Sequence, residues 1–244
     1  MTNYVSFSLY GDRPFYSVGA LENLKLCSEF YPSWTPVVYV DHQVPEEVIW
    51  KLKHLGALVV PESTEIGLNK RAWRFAATLI PDADKVIFRD ADSRINRREQ
   101  ACVEKWLVSG KPLHIMRDHP FHANWIMAGM WGIDASVGRP YVSNILSEAK
   151  GIEVGEDQRL LASQLYYFLR KQTIIHDSFF RREKWAEEFP TAREEGQFVG
   201  ERIDEHGNPE SSMRDALVKH EKSKLLRFRL RAEDYRRTRT EQKL

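Results

Sequence analysis

Short apolar runs with strand character alternate with segments of helical periodicity along the first half of this 244-residue chain. Strand-like runs occupy residues 4–9, 36–40, 57–60, 86–89 and 112–116. Helical patterns occupy residues 16–30, 70–79 and 98–108, and a further helix begins at residues 45–47. Because parallel neighbouring strands need a crossover, which is usually a helix, this alternation predicts an α/β fold. We expect a mostly parallel, Rossmann-like sheet with helices on both faces, in one sizeable domain.

The fourth strand-like run ends in two aspartates, Asp90 and Asp92. Ligands of open α/β sheets bind just beyond the carboxyl ends of the strands. Two carboxylates one residue apart repel each other unless a cation lies between them. Mg²⁺ and Mn²⁺ prefer such oxygen ligands and often share them with substrate phosphates. The segment therefore predicts a metal–diphosphate site.

The bulk composition limits the classes of function. A net charge of +1 gives no overall field that would attract nucleic acid. Cys27 and Cys102 form neither a disulfide framework nor a metal-binding spacing, so we expect buried thiols. The first residues lack the pattern of a signal peptide, and no apolar run reaches the roughly 20 residues that span a bilayer. These features predict a cytoplasmic protein.

The end of the chain differs from the rest. Residues 213–244 contain eleven Lys and Arg against five Asp and Glu. We expect a domain over residues 1–205 and a basic helical tail over residues 206–244, packed on the domain or extending from it. A solvated helix explains this charge best, and weak docking on acidic lipid headgroups or on a partner is the alternative.

Several further motifs follow one another in order. They are Arg71 and Arg74, Asp90-x-Asp92, Ile115-Met116-Arg117-Asp118-His119-Pro120, Ala128-Gly129-Met130-Trp131-Gly132, Glu156-Asp157-Gln158 and Ile175-His176-Asp177-Ser178. Over residues 4–200 this series resembles nucleotide-sugar-dependent glycosyltransferases of the GT-A fold. It is most similar to small bacterial and viral enzymes that are distantly like the glycogenin and lipopolysaccharide galactosyltransferase group.

The resemblance implies a metal-dependent enzyme that transfers a hexose from a nucleoside diphosphate sugar, with UDP as the default nucleotide, to a sugar or glycan hydroxyl. Asp90 and Asp92 would hold Mn²⁺ or Mg²⁺, and Asp90 would also reach the ribose. His176 would be the third metal ligand, and its alternative is a hydrogen-bonded structural histidine at a strand end.

The resemblance also implies a set of donor-binding residues: Tyr10, Gly11, Arg74, Asp90, Asp118, Gly129, Trp131 and Gln158. The fork of an arginine suits a diphosphate, an aromatic ring can stack on a nucleotide base, and a glycine in a strand leaves room for close approach. Asp157 would be the base that accepts the acceptor proton, or would position the sugar. The alternative for Asp157 is an acid favoured by the start of a helix.

Two other classes of function are compatible with the same motifs. A haloacid-dehalogenase-like phosphatase also has Asp-x-Asp at a strand end, but normally on its first strand. A non-catalytic module that binds nucleotide sugars would need the pocket and not the base. Whether the transfer inverts or retains the sugar configuration depends on distances that the sequence does not give.

Overall fold

The computed structural model describes residues 1–61, 69–149, 155–194 and 196–241. Within these residues, seven strands form one sheet in the order β3-β2-β1-β4-β6-β5-β7. The strands are β1 (Thr2–Leu9), β2 (Thr35–Val40), β3 (Leu58–Pro61), β4 (Ala83–Arg89), β5 (Leu113–Arg117), β6 (Met130–Asp134) and β7 (Thr173–Asp177). The predicted α/β class is confirmed.

Six of the strands run in one direction, and β6 alone runs antiparallel, between β4 and β5. The alternation of segments did not predict this insertion, because the chain from residue 118 to residue 129 contains neither helix nor strand. The carboxyl ends of β1, β2, β4, β5 and β7 therefore lie along the same edge of the sheet. Asp90 follows β4 at this edge, as the sequence predicted.

Helices cover both faces of the sheet, as predicted. They are α1 (Pro14–Phe30), α2 (Glu46–His54), a 3-10 helix (Trp73–Leu79), α3 (Arg97–Ser109), α4 (Ala135–Glu148), α5 (Glu156–Leu161), α6 (Tyr167–Leu169), α7 (Ser211–Lys222) and α8 (Lys224–Glu241). The helix expected over residues 70–79 is a shorter 3-10 helix. The helical segment that begins at Glu156 contains a π-helical turn at Ala162–Tyr166, between α5 and α6.

The two apolar layers follow from the alternation of side chains along buried strands. On one face, α1, α2 and α3 cover a core that includes Val5, Phe7 and Ile87. On the other face, the 3-10 helix and α4 cover a core that includes Phe88 and Trp131.

The C-terminal helices pack on this body. Leu217 of α7 is fully buried among Phe179, Phe180 and Phe198. Asp234 of α8 pairs with Arg182, which follows β7. None of the helices in the described residues is long and apolar enough to cross a membrane.

Candidate functional site

A pocket opens at the carboxyl ends of β1 and β4, between β1, its following loop and the start of the 3-10 helix. Its walls are Ser8, Tyr10, Tyr16, Arg71, Arg74, Asp90, Ala91 and Asp92. Four of the predicted site residues therefore line one pocket: Tyr10, Arg74, Asp90 and Asp92.

Two small hydroxyls of β1 fix the position of Arg74. The backbone N–H of Arg74 donates to the Ser8 hydroxyl oxygen (3.0 Å), and the Ser6 hydroxyl donates to the Arg74 carbonyl (2.7 Å). The guanidinium is buried and donates from Nη1 to Asp90 Oδ1 (2.5 Å) and to the Arg89 carbonyl (3.0 Å). Burial opposes the charge, but Asp90 and Asp157 outweigh it and raise the pKa of Arg74. Arg74 is a fixed cation in the pocket wall.

Gly129 creates the space that the Asp90 carboxylate occupies. A Cβ atom at position 129 would lie 1.9 Å from Asp90 Oδ2 and 3.0 Å from the Asp90 backbone nitrogen. The Asp90 side chain is 45% exposed, so its carboxylate faces the open pocket. The sequence analysis assigned Gly129 to donor binding, whereas in the structure the Asp90 carboxylate occupies the space beside Gly129.

Asp92 lies deeper than Asp90 and has a partner that the sequence did not indicate. Arg202, 110 residues later, places its Nε 3.2 Å from Asp92 Oδ2. The Ile203 N–H donates to the Asp92 carbonyl (2.8 Å), which ties this late segment to the motif. Burial and the nearby charge of Asp90 raise the pKa of Asp92. No local pattern could have found Arg202, because only the tertiary fold brings it there.

The two carboxylates fit a hard divalent cation. Asp90 raises the pKa of Asp92, so the pair repels and is stabilised by positive charge. Within the part of the chain that the structure describes, no group of three His, Cys, Asp or Glu side chains is arranged to hold a metal. Mg²⁺-type sites commonly use one or two carboxylates and complete their coordination with water and substrate phosphates. Two carboxylates in an open pocket meet that requirement.

His176 is a correction to the predicted metal site. It lies in β7, three strands from β4 in the sheet, and is fully buried. Its Nδ1 is hydrogen-bonded to Nε2 of His114 (3.0 Å). Burial lowers the pKa of His176 to about 4, so the imidazole is neutral. The structure supports the alternative reading, a structural histidine, because the sheet order separates its strand from the motif.

Asp118 is also corrected as a donor-binding residue. Its carboxylate is fully buried and accepts hydrogen bonds from Arg98 (2.8 and 2.9 Å), Ser178 (2.7 Å) and the Val199 N–H (3.0 Å), as well as from Arg193. Burial opposes ionisation, but the two arginines outweigh it and lower the pKa of Asp118. Asp118 therefore joins the loops at the end of the sheet and does not line the pocket.

Trp131 is a core residue and not an exposed platform for a sugar. Its ring is fully buried, stacks on Phe88 at 4.1 Å between centroids and contacts the edge of Phe75. Its indole N–H donates to the Ala128 carbonyl (3.1 Å). The structure thus corrects the assignment of Trp131 to donor binding, because the residue is a tryptophan packed in the core.

The loop after β1 presents Tyr10 to the pocket. Gly11 has a φ of +74°, and its N–H donates to the buried carboxylate of Asp41 (3.1 Å). Lys70 also binds Asp41 (2.7 Å) and lies 5.8 Å from the centre of the Tyr10 ring. Burial alone would raise the pKa of Asp41, but these hydrogen bonds lower it by more. The pKa of Asp41 therefore lies below its ordinary value. A Cβ at Gly11 would meet open space, so the turn, and not close approach, requires this glycine.

Asp157 and Gln158 begin α5 next to Arg74. Asp157 Oδ2 lies 4.0 Å from Arg74 Nη2, and Asp157 Oδ1 accepts the Gln158 N–H (3.0 Å). Burial raises the pKa of Asp157 even though Arg74 opposes the rise. Asp157 is 2% exposed and lies behind Arg74 rather than in the wall of the pocket. The Gln158 side chain accepts a hydrogen bond from Asn124.

Comparison with known proteins shows the fold. No protein-family model and no curated protein sequence matches the chain. Among solved structures, galactosyltransferase LgtC in complex with donor and acceptor sugar analogues matches with a TM-score of 0.50 and 17% identity, over 73% of this chain and 74% of that one. The 4-diphosphocytidyl-2C-methyl-D-erythritol synthase of Anaerococcus prevotii matches with a TM-score of 0.51 and 10% identity, over 78% and 91%.

A third structure is glucosyl-3-phosphoglycerate synthase from Mycobacterium tuberculosis, solved with Mn²⁺, UDP and glucosyl-3-phosphoglycerate. It matches with a TM-score of 0.48 and 16% identity, over 71% of this chain and 68% of that one. Identities this low establish the fold alone. The chain has an α/β fold of the GT-A type, and its structural neighbours are nucleotidyl- and glycosyltransferases.

Proposed function

We propose that this protein is a metal-dependent glycosyltransferase that moves a hexose from a nucleoside diphosphate sugar, UDP by default, to a sugar or glycan hydroxyl. One observation carries the proposal: Arg74, Asp90 and Asp92 line a single pocket at the carboxyl edge of a GT-A sheet. That edge is where open α/β sheets bind their ligands.

Glycosyl transfer builds negative charge on the departing diphosphate. Asp90 and Asp92 would hold Mn²⁺ or Mg²⁺, and the bound ion would stabilise that charge as a Lewis acid. The hydroxyls of Ser8 and Ser6 bind the backbone N–H and the carbonyl of Arg74, so its cation is preorganised for a diphosphate oxygen. Arg71 adds a second guanidinium to the same wall.

The aromatic side of the pocket suits the nucleotide base. Tyr10 and Tyr16 have nearly parallel rings with centroids 6.5 Å apart, and both line the pocket. A base can stack on such a face whatever its identity, so this contact supports nucleotide binding without selecting UDP. We assign Tyr10 to stacking on the nucleotide base. Gly11 turns the chain so that the Tyr10 ring faces the pocket.

We assign Asp157 to proton transfer or to the positioning of Arg74. A raised pKa favours acceptance of a proton from the acceptor hydroxyl at neutral pH. The contact with Arg74 favours the positioning role, because the carboxylate lies behind that guanidinium. The two roles predict different kinetics for an Asp157→Asn variant. We also place the reaction in the cytoplasm, in line with free, buried Cys27 and Cys102.

The test combines ligand-induced stabilisation with turnover. The purified protein is heated with Mn²⁺ and each nucleoside diphosphate, and hydrolysis of nucleoside diphosphate hexoses is then followed with and without EDTA. We expect stabilisation by one diphosphate with Mn²⁺, and slow hydrolysis of the matching donor that EDTA abolishes.

The chain supplies a matched control for the metal ligand. Asp84 belongs to a second Asp-Ala-Asp sequence, Asp82-Ala83-Asp84, at the opposite end of β4. Asp92→Asn should abolish both signals, and Asp84→Asn should preserve them. Normal hydrolysis by Asp92→Asn would refute the mechanism. Stabilisation without hydrolysis would favour a binding module, and release of phosphate from simple monoesters would favour a phosphatase.

A further inference from the structure

A second cavity, of about 550 Å³, lies between α8, the loop that follows β7 and the connection from β5 to β6. It is lined by Trp125, Phe180, Arg181, Arg182, Arg231, Asp234, Tyr235, Thr238 and Arg239. A cavity of this size accommodates a small ligand such as a sugar with a charged substituent.

The wall of this cavity carries four guanidiniums and one carboxylate. That carboxylate, Asp234, is already engaged, because Arg182 donates to both of its oxygens. Arg181 pairs with Glu188, which lies outside the cavity wall, at 2.5 Å. The Nε–H of Arg231 donates a hydrogen bond to the Phe179 carbonyl (2.7 Å). The remaining positive charge in the wall favours an anionic ligand.

Two further features distinguish the arginines of this wall: the pKa of Arg231 and the backbone conformation of Arg181. Burial, together with the nearby charges of Arg181 and Arg227, lowers the pKa of Arg231. Arg181 has a φ of +55°, the one positive value among the described residues other than glycine. Strained backbone of this kind persists where the surroundings fix it, and it is frequent at ligand sites. Here the Asp177 carboxylate fixes it by accepting the Arg181 N–H (3.1 Å).

The same cavity has aromatic surfaces. The Arg182 guanidinium lies between the rings of Trp125 (4.9 Å) and Phe180 (4.7 Å), and its Nη1 is buried without a hydrogen-bond partner. Tyr235 projects from α8 and is 63% exposed. Aromatic faces beside guanidinium groups suit a ligand that has both an apolar ring face and an anionic group.

The connection between β5 and β6 links this cavity to the first pocket. Trp125 lies in the cavity wall, and four residues later Gly129 contacts the Asp90 carboxylate. The residue before Trp125, Asn124, donates a side-chain hydrogen bond to Gln158, the neighbour of Asp157. One segment therefore contributes to the wall of the cavity and also contacts Asp90 and the neighbour of Asp157.

We propose that the second cavity binds the glycosyl acceptor, and that this acceptor is a sugar bearing a phosphate or a carboxylate. This inference rests on the proposed transferase function, because the cavity takes its role from the neighbouring donor pocket. The guanidiniums of Arg231 and Arg239 bind the anionic group, and the rings of Trp125 and Tyr235 bound the sugar.

The experiment uses the full chain with its donor pocket blocked by saturating UDP and Mn²⁺. Glucose 6-phosphate, glucuronate, glucose and inorganic phosphate are titrated in turn, and binding is followed by ligand-observed NMR. We expect one or both anionic sugars to bind, glucose to bind at least tenfold more weakly, and phosphate alone to bind more weakly than glucose 6-phosphate.

Two variants on one helix locate the site. Arg239→Gln removes an exposed guanidinium of the cavity wall, and Arg229→Gln removes an exposed one that lies outside the wall. We expect Arg239→Gln to weaken binding of the anionic sugar about tenfold and Arg229→Gln to change it less than twofold. Arg231→Gln serves as a second variant, and its thermal unfolding shows whether the bond to Phe179 matters for the fold.

Several results would overturn the inference. They are binding that UDP competes away, equal effects of Arg239→Gln and Arg229→Gln, equal binding of phosphate and glucose 6-phosphate, or no binding of either anionic sugar. If donor hydrolysis is observed while no anionic sugar binds, the transferase function stands and the acceptor class falls. If anionic sugars bind but no nucleotide does, both the function and the acceptor role fall.

Discussion

Gly129→Ala should separate the fold from the metal site. The added methyl group would lie 1.9 Å from Asp90 Oδ2, far inside contact distance, so the carboxylate must swing away. Since Gly129 is not among the residues with positive φ, alanine is conformationally acceptable there. The displaced carboxylate loses its charged hydrogen bond to Arg74, which is worth about 1.5–3 kcal/mol. The half-exposed position of Asp90 favours the lower end of that range.

The larger effect falls on the metal. Disturbing even the outer partners of a metal ligand costs about 10–100-fold in affinity, and here a proposed ligand itself moves. Suppose that UDP with Mn²⁺ is present at about 100 times its Kd for the native protein. Ligand binding then stabilises that protein by about 2.7 kcal/mol, and a variant with about 100-fold weaker binding by about 0.4 kcal/mol. At about 2–4 °C per kcal/mol, the ligand-induced shift in Tm falls from about 5–11 °C to about 1–2 °C.

Gly132→Ala is the matched control for this assay. Its methyl group would lie 2.9 Å from Ile87 Cγ2 and 3.0 Å from Trp106 Cζ3, in the apolar core and away from Asp90. Overpacking of this kind costs about 1–3 kcal/mol. We therefore expect Gly132→Ala to lower the Tm of the free protein but to keep the full shift with ligand. A full shift in Gly129→Ala would show that Asp90 is not required for binding.

Three further substitutions test the charges of the site. Burial and Asp90 raise the folded-state pKa of Asp92, so its ionisation opposes folding. Asp92→Asn should therefore have a higher Tm than the native protein at pH 7, and the difference should shrink as the pH falls through the raised folded-state pKa and vanish below the unfolded-state pKa of about 4. Asp157→Asn should lower kcat by about 10²–10⁴ with little change in donor Kd if Asp157 is a base, whereas a loss confined to donor affinity would assign it to positioning. Arg202→Gln should strengthen Mn²⁺ binding in the absence of nucleotide, measured by titration calorimetry, because it removes a cation that competes for Asp92; weaker binding would contradict this.

The sequence predicted residues that share one pocket where local pattern and position in the sheet agree. A strand-like run followed by two acids indicated the end of β4 and placed Asp90 at the edge of the sheet where the pocket opens. Arg74 was predicted for its charge, and β1 holds it through Ser6 and Ser8. Gly129 was assigned to donor binding because glycine interrupts a strand-like run, and in the structure the neighbour that requires the glycine is Asp90.

The predictions that failed concern polar residues that lie at the ends of different strands. His176 and Asp118 lie at or just beyond the ends of β7 and β5, at the same edge as Asp90. Sequence does not give the lateral order of strands, and the antiparallel β6 separates β4 from β5 and β7. Trp131 was misread for a related reason, since its strand is an interior one with both faces covered. Arg202 was missed because a contact across 110 residues leaves no local signal.

The charges of the donor pocket explain why its occupant should carry both signs. Asp90 and Asp92 each have an arginine partner, at 2.5 Å and 3.2 Å, and Asp157 lies 4.0 Å from the first of these arginines. A diphosphate alone would add negative charge beside three carboxylates, and a divalent cation alone would add positive charge beside the two paired guanidiniums. Binding of the cation and the diphosphate together would satisfy both sets, because the ion would balance the carboxylates and the phosphate oxygens would balance the arginines. On this reasoning the arginines would act as internal counterions in the absence of a donor, and the Mn²⁺ affinity of Arg202→Gln would measure how strongly one of them competes.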